Sequence, residues 1–91
     1  MTHIRILYRQ PDGEVSDGSM DFGPEHFAGQ IPMIGDMIVN PGVPPGLNRN
    51  DPQNREIWTV VGRVFNARGN EGYVSLIVET RNGTLADEAF L

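Results

Sequence analysis

At 91 residues the chain has room for one domain and one core. Folding at that size removes only about 60–65% of the surface an unfolded chain exposes. The sequence holds no cysteine and no lysine, which excludes disulfides, thiolate metal centres, Schiff-base chemistry and the lysine of a phosphate-binding loop.

Seven arginines against twelve carboxylates leave a net charge of −5 and an isoelectric point near 4.7. The acidity is local. Between Arg9 and Arg49 there is no lysine or arginine, while Asp12, Glu14, Asp17, Asp21, Glu25 and Asp36 fall there. No charged segment followed by an apolar run opens the sequence, and no apolar run approaches the roughly 18 residues of a spanning helix. The expected location is therefore the cytoplasm.

Residues 2–9 alternate, with Ile4, Ile6 and Tyr8 on one face and His3, Arg5, Leu7 and Arg9 on the other. Period two reads as a strand with one buried face. Pro11-Asp12-Gly13 is turn chemistry, since proline presets φ and glycine accepts positive φ. It predicts a hairpin into 14–22, where Val15 is out of phase with Met20 and Phe22. A bulge at Asp17-Gly18 would restore the phase; a wide irregular loop is the alternative. Residues 23–29 carry proline in a first-turn position and close with glycine, as a short helix does, and Phe27 is its core anchor. Gly35-Asp36 is a tight bend into a strand at 36–40.

Residues 56–67 form the strongest predicted strand, rich in β-branched and aromatic residues. Trp58, Val60 and Val64 share one face and Ile57, Val61 and Phe65 the other, with Gly62 where a coil would be cheapest. Residues 68–72 read as a hairpin loop and 73–81 as the returning strand, carrying Val74, Leu76 and Val78 on one face. Asn82-Gly83 is a turn. Residues 84–91 read as a short helix with Thr84 as N-cap and Asp87 three residues on, or as a frayed tail.

Five short strands, one helical turn and no long helix predict an all-β fold: a small five-stranded SH3-like barrel or a strongly curled antiparallel sheet, with an OB-type barrel as the alternative. The expected core is Ile4, Ile6, Tyr8, Phe22, Phe27, Ile38, Trp58, Val60, Val64, Val74, Leu76 and Val78.

Catalytic patterns are scarce. The histidines are His3 and His26, and none of Ser16, Ser19 and Ser75 stands in a nucleophile elbow. The acidic run lacks the spacing of a calcium loop. No enzyme activity, metal or cofactor is expected.

The stretch NPGVPPGLNRNDPQNR, residues 40–55, suits neither helix nor strand. A structureless loop of this length is uncommon in a compact domain and is usually functional or disordered. It reads as a recognition loop, or as a tolerated insertion, because long loops cost little. The sequence thus predicts a binding module for another protein, a small regulator or inhibitor of the kind phages and mobile elements carry. Leu47, Arg49 and Arg55 would supply loop contacts, and Asp12, Glu14, Asp17 and Asp21 the charge. The alternative is a nucleic-acid-binding barrel in which Arg5, Arg9, Arg63 and Arg81 meet phosphates and Tyr8, Trp58 or Tyr73 stacks on bases. The acidic balance opposes that. A homodimer would cover apolar surface left over from the two-faced strand.

Overall fold

In the computed structural model, residues 2–66, 69 and 72–91 are described. Five strands form one sheet: β1 (His3–Arg9), β2 (Val15–Phe22), β3 (Met37–Val39), β4 (Glu56–Phe65) and β5 (Tyr73–Asn82). Their order is β2-β1-β5-β4-β3. The all-β expectation holds. The sheet is mixed and not wholly antiparallel, because β1 and β5 run parallel at its centre. Each hairpin is antiparallel by its short connection, whereas the way the two hairpins dock depends on the long path through residues 23–55. Local pattern carries no information about that docking.

One face of the sheet carries the core. Ile4 pairs with Val74, Ile6 with Leu76 and Val60 with Val78, so apolar side chains stand in rows across β1, β5 and β4. These six and Trp58 are buried, and Tyr8, Met20, Phe22, Phe27, Ile31 and Ile38 pack around them. Trp58 is fully buried, with Tyr8 edge-on at 5.9 Å and Phe22 tilted at 6.4 Å.

Val64 departs from its expected core position: it is 48% exposed. The register slips between Val60 and Gly62, so beyond that bulge Arg63 and Phe65 take the core-facing positions and Val64 pairs with Ser75 on the back. The expected bulge in β2 is also present. Ile6 pairs with Met20 and Leu7 with Asp17, which leaves Gly18 and Ser19 outside the ladder. An insertion of two residues leaves the alternation unchanged, so it does not restore the phase of Val15. That side chain pairs with Arg9 and stays 47% exposed. Glycine is required at 18, where a Cβ would come within 2.6 Å of the Tyr8 ring.

The short helix at 23–29 is a 3-10 helix, Pro24–Phe27, closed by Ala28 and Gly29 with φ of 56° and 77°. Gly35, at φ 96°, makes the bend into β3, and the Asp36 carboxylate accepts the Met33 N–H at 2.8 Å. On the back of the sheet Ile57 is buried. Its cross-strand neighbour Arg81 clamps Asp87 of the last 3-10 helix, Leu85–Phe90, at 2.7 and 3.0 Å. The Asp87 carboxylate also accepts from the Thr84 N–H and hydroxyl. A second 3-10 helix, Pro52–Asn54, packs against this one. The hairpin loop expected at 68–72 lies for the most part outside the described residues.

Candidate functional site

The stretch 40–55 has a definite shape, built by its own side chains. The Asn40 amide oxygen accepts the Gly42 N–H at 2.9 Å, that of Asn48 accepts the Asn50 N–H at 2.9 Å, and the Asp51 carboxylate accepts the Gln53 N–H at 3.1 Å. The Asn54 amide donates to the Asn48 carbonyl at 2.9 Å. Asn and Asp supply such local bonds because their short side chains reach backbone groups two residues on. Pro44-Pro45-Gly46-Leu47 is a turn in which Gly46 takes φ 85° and Leu47 N–H donates to Pro44 C=O. Pro52 is buried and anchors the far end.

Leu47 stands 50% exposed on this frame. Beneath it a concavity of about 530 Å³ is lined by Met20, Val43, Pro44 and Leu47, with the amides of Asn40, Gln53, Asn54 and Asn82 and the Glu56 carboxylate around them. The loop and Met20 of β2 thus line one cup of mixed apolar and amide residues. Side-chain amides both donate and accept, which suits the alternating N–H and C=O groups of a polypeptide.

Arg49 is exposed and makes no hydrogen bond or ion pair among the described residues. Arg55 turns inward: its guanidinium reaches the Asn40 carbonyl at 3.5 Å and its Nε is buried without a partner. It braces the two ends of the loop and is not displayed on the rim. The acidic hairpin is likewise partly engaged. Asp21 pairs with Arg5 at 3.3 Å and Asp17 with the same arginine at 3.9 Å. Asp12 accepts the Glu14 N–H at 2.9 Å inside its turn. The Glu14 side chain is exposed.

The arginines proposed for a nucleic-acid face do not form one stripe. Arg5, Arg9 and Arg81 are on the back of the sheet by register, paired with Asp21, Glu79 and Asp87. Arg63 is on the other face beyond the bulge, stacked over Phe65 at 4.8 Å. Trp58 is fully buried and offers no stacking surface. His3 and Tyr73 do stack at 4.9 Å, with Arg5 over the Tyr73 ring at 5.3 Å. Sequence reasoning missed the His3–Tyr73 contact, because it arises from the parallel pairing of β1 with β5.

A second polar group lies at the end of the core. The Glu56 carboxylate accepts the Trp58 indole N–H at 2.5 Å and the Asn40 amide at 3.4 Å. Burial, and secondarily the Glu56 charge, hold the nearby Tyr8 phenol above its ordinary pKa. At neutral pH the phenol is therefore a neutral donor. Among the described residues no group of three or more metal-ligating side chains comes together, and no helix is long and apolar enough to cross a membrane.

Neither a family model, nor a curated protein, nor a solved structure matches this chain.

Proposed function

We propose that this protein is a non-enzymatic protein-binding module, a small regulator or inhibitor that captures a segment of another protein in the loop cup. The observation that carries the reading is Leu47, held half-exposed by a loop whose own hydrogen bonds define its shape, at a hollow of about 530 Å³ that asparagine and glutamine side chains also line. A loop ordered before binding loses less conformational entropy on binding. Arg49 on the loop and Glu14 on the hairpin supply charges that orient an approaching partner. The fold proposed with it is a small five-stranded SH3-like barrel or strongly curled sheet. Its support is that Phe22 of β2 and Ile38 of β3, from opposite edges of the sheet, line one concavity.

The test is affinity capture from lysate with and without nuclease, using wild type, Leu47→Asp and Val64→Asp. The expected result is a protein retained through nuclease treatment, lost with Leu47→Asp and kept with Val64→Asp on the opposite face. Retention by all three variants would sink the loop reading. Loss on nuclease treatment would favour nucleic acid, for which the stack of His3, Tyr73 and Arg5 is the supporting observation.

A further inference from the structure

The sheet has two free edges, β2 and β3, and the hollow between them continues along β3. One part, about 300 Å³, is lined by Phe22, His26, Phe27, Met37, Ile38, Val39 and Pro41. The adjoining part, about 260 Å³, shares Phe27, Met37 and Ile38 and ends at Asp36 and Gln30. The part beside Phe22 is mostly apolar and the adjoining part is mixed, and Met37 is 54% exposed.

The backbone of β3 is half-used. Val60 N–H donates to Asp36 C=O and Asn40 N–H donates to Glu56 C=O, both at 2.9 Å, and Ile38 pairs opposite Trp58 between them. In an antiparallel pair the bonded residues alternate. Asp36, Ile38 and Asn40 therefore face β4, and the N–H and C=O groups of Met37 and Val39 point away from it. β3 pairs with β4 alone. An edge of this kind is a template for an added strand.

The surrounding charge narrows the occupant. Every residue from Gln10 to Asn48, which includes β2, the first 3-10 helix and β3, belongs to the stretch without lysine or arginine. Glu25 is exposed beside His26, and Asp36 closes the other end of the hollow. We infer that the β3 edge takes an extended segment of a partner protein, pairing through Met37 and Val39, with alternate apolar side chains in the hollow beside Phe27 and a basic residue reaching Asp36 or Glu25. This surface shares no lining residue with the loop cup, so its failure leaves the loop reading standing.

The test is a titration of the full chain, followed by amide NMR, with the end-blocked peptide Arg-Val-Ile-Val-Arg. Two further probes are Glu-Val-Ile-Val-Glu and the arginine peptide N-methylated at the central Ile and following Val. The three probes differ only in the ligand, so folding is not at issue in comparing them. The expected result is movement of the Met37 and Val39 amide signals and the Phe27 ring signals. Affinity should fall about tenfold on N-methylation, as for lost backbone hydrogen bonds. The glutamate peptide should bind more weakly, by a margin that shrinks in high salt. Leu47→Asp should bind the arginine peptide unchanged. Absence of shifts at Met37 and Val39, equal binding of the N-methylated peptide, or shifts confined to the Leu47 cup would overturn the inference. So would concentration-dependent shifts of those two amides without peptide, which would assign the edge to a second copy of the chain.

Discussion

Trp58 shows how much of the core rests on one side chain. It is fully buried, touches rings from β1 and β2, and has its indole N–H satisfied by Glu56. Trp58→Ala should cost about 3–5 kcal/mol by urea unfolding, because it leaves a cavity and orphans a carboxylate contact. Val64→Ala, at an exposed position, should stay within about 0.5 kcal/mol of wild type. Ala28 holds a left-handed conformation at φ 56°. That costs an alanine about 1–2 kcal/mol, of which the added chain entropy of glycine returns roughly half. Ala28→Gly should thus raise stability by about 0.5–1 kcal/mol, and a lower melting temperature would count against the left-handed assignment. Gly83→Ala should do the opposite, since its Cβ would collide with the Pro52 carbonyl and crowd Leu91.

Among the elements, the last 3-10 helix is held by one carboxylate. Arg81, and then the Thr84 N–H, hold the Asp87 carboxyl well below the ordinary carboxylate range. A depressed folded-state pKa stabilises the fold fully above the unfolded value of about 4, and that stabilisation is lost as pH falls below it. The difference in melting temperature between wild type and Asp87→Asn should therefore be constant near neutrality and shrink as pH drops below about 4. A difference that stays constant into acid would remove the clamp as its cause. The Thr84–Asp87 cap was legible in the sequence because capping is a local matter of spacing. The bulge in β4 was not. Val60 and Val64 on one face and Val61 and Phe65 on the other let the pattern permit either phase, and the close approach of Gly62 to Ile77 accompanies the slip that exposes Val64.

At the scale of the molecule, a loop of this length costs the fold little in closure entropy. Removing residues 42–49 shortens the connection between β3 and β4, and loop closure changes by only about 0.6 kcal/mol per halving. Such a deletion should leave the amide spectrum of β1, β4 and β5 in place and unfold with a similar midpoint. It should also abolish the capture proposed for the Leu47 cup. A chain that no longer folds would mean the loop is part of the core, through Val43 and Met20.

The sequence by itself determined most of the strands, the turn at Pro11-Asp12-Gly13 and the apolar row of Ile4, Ile6, Val74, Leu76 and Val78, and it set Thr84 and Asp87 at cap spacing with a frayed tail as the alternative. Each follows from period, φ preference or spacing within about ten residues. It also singled out residues 40–55, because that composition excludes regular structure. Only the tertiary structure decided that Arg55 braces the loop, that Arg5 ties up Asp17 and Asp21, and that β1 meets β5 in parallel. Only there, too, does β3 keep an open edge. These depend on which distant residues meet, and pairings across a dozen or more residues leave no mark on the local pattern of either partner.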